Sequence, residues 1–342
     1  MLRPLLHALS ALALLSVPAS AQNIRAGIIG LDTSHVLAFT KTLNATPQKP
    51  EVMGVRMVAA YPQGSKDIEG STKRVPEYTE KVKAMGVEIV PSIDALLDKV
   101  DVVFLETNDG RPHLEQILPC LEAHKPVFID KPIAGTLVDA IKIFDASKKA
   151  SIPVFSSSSL RFGKGTQAVR GGSIGKVRQA QTTSPASLEP THPDLFWYGI
   201  HGVESLFTVM GTGCQSVKRG TITEEVTTVD KVTKQTTKEN VTRITVTGTW
   251  EGGRTGTFTE GKGYGGKAVG EKGEADIGTY DGYDPLLFSA VHFFRTGVAP
   301  VTPEETLEIY AFMEAADESK RRNGAEVTLK EVMDKALAEA RK

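Results

Sequence analysis

Apolar and polar positions follow two rhythms along the chain. From Ile24 to about Phe155, short apolar runs alternate with stretches of helical period. Residues 24–30, Ile-Arg-Ala-Gly-Ile-Ile-Gly, read as a buried strand running into a glycine, and 33–43 as a helix. Val55 to Ala60 is a second strand, and 94–98 a short helix. The run Asp101-Val102-Val103-Phe104-Leu105 has the near-continuous apolar character of a strand covered on both faces. Leu114 to Ala123 predicts an amphipathic helix, 126–129 a strand, 137–150 a helix and Val154-Phe155 a last strand. Strands alternating with helices imply right-handed crossovers and a parallel sheet.

The second half alternates residue by residue. Segments 176–184, 214–222 and 241–260 are rich in Thr, Val and Ile, the pattern of antiparallel strands with one wet face. Thr221 to Asn240 is so rich in Thr and Lys that it suits exposed edge strands. One helix, from about Asp194 to Met210, interrupts this region, and helices over 303–322 and 329–341 end the chain. The fold class is therefore α/β in two domains, 22–155 with a parallel sheet and 156–342 with an open antiparallel sheet.

Composition adds three restrictions. A length of 342 residues suits two cores rather than one. A net charge of −1, without a basic stripe, argues against nucleic acid as a partner. Arg3, the apolar stretch Leu5 to Val17 and Ala19-Ser20-Ala21 form the pattern of a cleavable leader over 1–21, too short for a membrane span, so an exported protein starting near Gln22 is expected. Cys120 and Cys214 fall in different domains and in apolar or glycine-rich settings, so neither a disulfide nor a cysteine zinc motif is expected.

Three places carry candidate chemistry. A strand, a glycine turn and a helix form the usual cradle for a dinucleotide pyrophosphate. Here the turn reads Gly30-Leu31-Asp32-Thr33-Ser34-His35, which keeps the first glycine of the G-x-G-x-x-G fingerprint. Asp32 stands where backbone normally approaches phosphate, and Asp32 or Thr33 also fits a helix cap. The second strand ends without a ribose-binding acid; Ser65 and Lys66 are candidates for a 2′-phosphate, or a plain solvated turn. Lys131, in Phe128-Ile129-Asp130-Lys131-Pro132, sits at the carboxyl end of a parallel strand, where such sheets bind ligands. His201, in Trp197-Tyr198-Gly199-Ile200-His201, is either a base on a substrate hydroxyl or a hydrogen-bonded core histidine.

In this order, the motifs resemble the glucose–fructose oxidoreductase / inositol dehydrogenase (Gfo/Idh/MocA) family from the first strand to about Leu329. Gly27-Ile28-Ile29-Gly30 is similar to its opening turn, and Thr107-Asn108 with His113 to its fourth-strand loop. Asp130-Lys131-Pro132 is similar to its Glu-Lys-Pro motif. Leu160-Arg161-Phe162, Gly172 to Val177, Glu271-Lys272-Gly273 and His201 fit as well. The resemblance implies a Rossmann-like domain binding NAD or NADP through Gly30, Asp32, Thr33, Ser34, His35, Thr107, Asn108 and Asp130. It implies Lys131 and His201 as catalytic residues, with Arg161 at a sugar or cyclitol; Trp197 and Tyr198, where the chain departs from the family, are candidates for a surface that stacks on the sugar ring. It also implies a homo-oligomer formed through the C-terminal sheet and terminal helices packed on the first domain. The family often carries an acid four positions before the histidine, where this chain has Trp197. Two other classes stay open: a carbohydrate lyase or hydrolase with a recycled or absent cofactor, and a non-catalytic sugar-binding protein. A metal site drawn from Asp32, His35, His113 and His201 is a further alternative, though no metal motif stands out.

Overall fold

A computed structural model describes residues 23–229, 233 and 235–342; the expected leader over 1–21 lies outside the described residues. The first half builds a parallel sheet from β1 (Ile24–Ile29), β2 (Val55–Tyr61), β3 (Glu88–Ile89), β4 (Val102–Leu105), β5 (Val127–Asp130) and β6 (Val154–Ser157), in the order β3-β2-β1-β4-β5-β6. Helices α1 (Ser34–Leu43), α2 (Glu69–Ala84), α3 (Ile93–Leu97), α4 (His113–Glu122) and α5 (Leu137–Ala150) cover its faces. β4, β5 and β6 are buried at every position, which is why their sequences do not alternate. Helix starts are set locally: Thr33, Ser92 and Thr136 each accept a backbone N–H from the first turn of α1, α3 and α5.

A short 3₁₀ turn, Ser159–Phe162, and α6 (Lys164–Arg170) lead into the second half. There β7 (Val177–Ser184), α7 (Ile200–Met210), β8 (Cys214–Val229), β9 (Thr236–Trp250), β10 (Arg254–Glu260), β11 (Gly265–Gly270) and β12 (Gly273–Asp276) follow one another. Then come α8 (Asp284–Thr296), α9 (Pro303–Arg321), β13 (Val327–Thr328) and α10 (Leu329–Ala340). The sheet order is β12-β11-β7-β10-β9-β8-β13. This sheet is mixed rather than purely antiparallel, because β7 and β10 pair in parallel while their neighbours run antiparallel. The Thr-rich stretch forms a β8–β9 ribbon whose outer residues, 220–244, pair only with each other among the described residues.

The helix expected over 194–210 is shorter, beginning at Ile200. Leu195 and Phe196 are fully buried, but in turns: their apolar character serves the core rather than a helix face. α8 returns to the first domain, where Leu286, Leu287, Val291 and Phe293 join Phe39, Phe104 and Phe155 in one core. α9 and α10 lie against α5. The two halves thus share buried apolar surface, which fixes the carboxyl edge of the parallel sheet against α7. Cys120 and Cys214 are both buried free thiols.

Candidate active site

The carboxyl ends of the parallel strands open on a cleft of about 260 Å³ between the two sheets' domains. Thr33, Ser34 and His35 line it from the start of α1, Asn108 from the loop after β4, and Lys131 from the end of β5. Trp197, Tyr198 and His201 close it from the second half. The wall is aromatic: Tyr78, Tyr198, Tyr264, Tyr280 and Tyr283, five of the chain's seven tyrosines, face the same space. A wider hollow of about 400 Å³ between α5, α9 and α10 is lined by charged side chains already paired, such as Arg321 and Arg322 with Glu318. It holds none of the candidate groups.

The turn before α1 differs from the expectation drawn from its sequence. Gly30 has φ +92°, and a Cβ there would stand 2.4 Å from the Thr107 amide nitrogen, so β1 and β4 approach too closely for any other residue. The Gly30 amide donates to the Tyr61 carbonyl, so it supplies geometry rather than a phosphate contact. Asp32 is not a cleft residue. Its carboxylate turns inward, accepting from Asn108 N–H at 2.9 Å and from the Ser71 hydroxyl at 2.6 Å. Burial, only partly offset by these bonds, raises its pKa. The helix cap is Thr33. Thr107 also leaves the list of cleft residues, since its hydroxyl donates to Gln116 and its carbonyl takes His113 Nε2 at 2.8 Å. Thr33, Ser34, the Arg74 guanidinium and Asn108 remain at the mouth of the cleft. A helix N-terminus, two hydroxyls and a guanidinium are the donor set a dinucleotide diphosphate requires, so these residues fit that group.

A polar bridge joins the loop after β2 to the loop after β4. Arg111 pairs with Asp67 at 2.8 Å and with Asp109 at 2.6 Å, and the Ser65 hydroxyl donates to Asp109. His192 Nε2, from the second half, lies 3.1 Å from the same carboxylate. Burial alone would raise the Asp109 carboxyl, but His192, Arg111 and Ser65 outweigh it and hold it far below the usual carboxylate range.

Lys131 and His201 meet at the cleft from opposite halves. The Lys131 ammonium lies 5.6 Å from the Tyr198 ring centroid, a cation–π distance. His201 Nδ1 is 2.7 Å from the Ser158 hydroxyl. Burial first, and the Lys131 charge second, push His201 well below the usual imidazole range, so the ring is neutral at neutral pH. Ser158 thus takes the place that an acidic partner would have held. One residue earlier, Ser157 donates to Glu204 Oε1 at 2.7 Å, so adjacent serines at the end of β6 fasten both His201 and Glu204 of α7.

Arg161 does not line the cleft. Only 1% exposed, it donates to Glu204 at 2.5 Å and to Glu305 at 2.6 Å, while Arg170 holds the second face of Glu305 at 3.0 Å. A buried guanidinium needs carboxylates around it, and two supply them here; the substrate role is withdrawn. Asp130 likewise faces inward, with His35 Nδ1 3.1 Å from its Oδ1. Burial alone would raise Asp130; the His35 and Lys131 charges outweigh it and keep its pKa low. Glu106, at the end of β4, lies 3.8 Å from the same His35 nitrogen. Burial, then the Asp130 charge, push Glu106 well above the usual carboxyl range. His113 holds Ile133 and Thr107 carbonyls and cannot serve a metal.

Sequence reading missed Tyr264, Tyr280 and Tyr283, Arg74, Ser158 and Glu106. Glu106 had a signal, a lone acid ending an apolar parallel strand, the same signal that marked Lys131. The tyrosines sit in glycine-rich loops, where no period marks them.

Residues 24–157 match the GFO_IDH_MocA model, described as an oxidoreductase family with an NAD-binding Rossmann fold. The N-terminal domain carries that fold. The myo-inositol 2-dehydrogenase of Thermotoga maritima is 31% identical over 116 residues, 33% of this chain and 31% of that enzyme, so the chain spans about a third of the curated relative it matches. The crystal structure of myo-inositol dehydrogenase from Lactobacillus casei with NAD(H) and myo-inositol superposes with a TM-score of 0.65 at 17% identity, covering 89% of this chain and 96% of that one. The scyllo-inositol dehydrogenase of the same organism, with NAD(H) and scyllo-inositol, gives 0.64 at 16%, covering 90% and 99%. The two-domain fold is therefore that of these dehydrogenases.

Proposed function

We propose that this chain is an exported oxidoreductase of the Gfo/Idh/MocA family, acting on a hydroxyl of a sugar or cyclitol with bound NAD or NADP. The observation that carries this reading is the convergence of Lys131 and a neutral His201 on one tyrosine-walled cleft beside the α1 N-terminus. The nicotinamide, when bound, supplies a two-electron hydride acceptor. Thr33, Ser34, Arg74 and Asn108 would hold its diphosphate. With Nδ1–H donating to Ser158, His201 presents Nε2 as the acceptor for the substrate hydroxyl proton. The Lys131 ammonium stabilises the developing oxyanion. Trp197 and Tyr198 offer flat faces to the C–H side of a ring. The leader pattern supports export, and the exposed β8–β9 ribbon supports a homo-oligomer formed through the second sheet. The bridge between the loops after β2 and β4, which would hinder cofactor exchange, favours a second reading as well, a carbohydrate lyase or hydrolase with a cofactor recycled within each turnover or with none.

Mass spectrometry of small molecules released on denaturation tests the cofactor, and turnover on a cyclitol and sugar panel tests the chemistry. His201→Gln should fold, bind ligand and lose roughly 10²–10⁴-fold in kcat. A folded variant with full activity removes His201 from the mechanism. Bound dinucleotide without net change in its redox state would select the second reading.

A further inference from the structure

Three side chains meet beneath the cleft floor: His35 from the first turn of α1, Glu106 from the end of β4 and Asp130 from the end of β5. Their donor atoms all lie within 4.8 Å of one another. All three residues are buried, Glu106 and Asp130 completely. Neither oxygen of Glu106 has a hydrogen-bond partner, and Asp130 Oδ2 has none. Among the described residues no lysine or arginine pairs with either carboxylate; the one ion-pair partner of both is His35. Buried carboxylate oxygens left without donors are rare and costly. Of these three, Glu106 Oε2 faces the His35 Nδ1 at 3.8 Å, and Asp130 presents its other oxygen, Oδ1, to the same nitrogen.

We propose that His35, Glu106 and Asp130 form a binding site for one divalent transition-metal ion of the zinc class, open towards the cleft. Tetrahedral zinc with bonds of about 2.0–2.2 Å sets its ligand atoms roughly 3.4 Å apart. The His35 Nδ1 distances, 3.1 Å to Asp130 and 3.8 Å to Glu106, bracket that value. One imidazole with two carboxylates is chemistry for Zn²⁺ or a neighbouring first-row ion, whereas Mg²⁺ and Ca²⁺ prefer larger all-oxygen shells. Two carboxylates would balance the charge of a divalent ion, with the Lys131 ammonium the neighbouring cation that acts on both. The support around the ligands is in place. Asp130 Oδ1 accepts the Lys131 backbone N–H at 2.8 Å, and the His35 ring is held edge-on by Tyr283 at 4.4 Å. His35 itself lines the cleft, which gives an ion its way in. This ion site stands independently of hydride transfer.

The full chain, purified without a histidine tag and stripped with EDTA, is titrated with Zn²⁺ against a chromophoric chelator and read for metal content by inductively coupled plasma mass spectrometry. Wild type should retain one ion per chain, and so should His124→Gln, which removes an exposed histidine. Glu106→Gln, isosteric and checked for fold by circular dichroism, should weaken binding by more than about 100-fold, beyond what loss of a supporting hydrogen bond does. No retained zinc in wild type, or unchanged affinity in folded Glu106→Gln, overturns the site. Co²⁺ substitution in wild type gives a reading that needs no variant: intense low-coordinate d–d absorption supports the site, and the weak spectrum of aqueous Co²⁺ refutes it.

Discussion

Replacing Arg161 with methionine separates the two roles its position allows. The side chain keeps most of its apolar length and loses the guanidinium. Glu204 then stays buried with one remaining donor, the Ser157 hydroxyl at 2.7 Å, while Glu305 keeps both Arg170 bonds at 3.0 Å. Removing one partner of a buried ion pair costs about 3–5 kcal/mol, because an uncompensated charge remains. Glu305 is already covered, so the lower half of that range applies. For a domain of this size each kcal/mol moves Tm by roughly 2–4 °C, which predicts a fall of about 6–16 °C. Arg161→Met with Glu204→Gln should recover most of the loss, since the stranded charge is gone while the shape stays. Urea unfolding followed by circular dichroism, with the two single variants and the double, gives the cycle. An unchanged unfolding midpoint in Arg161→Met, together with lost ligand affinity, would refute the buried-network account and return Arg161 to the substrate cleft.

Asp32→Gly, which restores a fingerprint glycine, should destabilise the protein by about 1–3 kcal/mol and weaken dinucleotide binding, because the Asn108 N–H and Ser71 hydroxyl lose their acceptor. Tighter binding in a calorimetric titration would show that Asp32 opposes phosphate instead. Ser158→Ala should lower kcat by about tenfold or more and shift the pH–rate profile while Tm changes little, since His201 keeps its place but loses its Nδ1 partner. A profile that does not move would make Ser158 merely a packing residue. Burial and the neighbouring Asp194 push Asp317 up to about 6. Its folded pKa lies above the unfolded value of about 3.9, so the native state holds the extra proton, and stability falls as pH rises from about 4 through about 6. Denaturation across that window should show the fall in wild type and a flatter response in Asp317→Asn; identical slopes would dismiss the group.

The strands of the first sheet were legible because covered strands need continuous apolar runs, and β4 and β5 have them. α5 was legible to the residue, since Thr136 caps it and its apolar face repeats through Phe144. α2 was not, because only Ser71 and Val82 of its sixteen residues are buried and its surface is polar throughout. The parallel pairing of β7 with β10 joins segments some 75 residues apart, and no local pattern encodes it. Arg161 misled for a related reason. Its carboxylate partners stand 43 and 144 positions away, and a sequence shows the guanidinium without showing what neutralises it. Lys131 and His201, which the structure places on one cleft, were weak signals taken singly, each reading as well as a surface lysine or a core histidine; the order of the motifs along the chain is what joined them.

The Arg111 bridge between the loops after β2 and β4 has a kinetic meaning. Asp109 stays ionised down to strongly acidic conditions, so protonation of this carboxylate does not loosen the inner joint to Ser65 within the ordinary pH range. Its outer joint is different: Asp67 and Arg111 are 55% and 36% exposed, within reach of mobile ions. A screening length of about 8 Å at physiological salt, falling to about 3 Å at 1 M, weakens that joint first. A dinucleotide held by Thr33, Ser34, Arg74 and Asn108, the residue before Asp109, should then dissociate faster as the outer joint parts. Its off-rate should climb with salt while its on-rate, steered by Arg74 towards a dianion, declines.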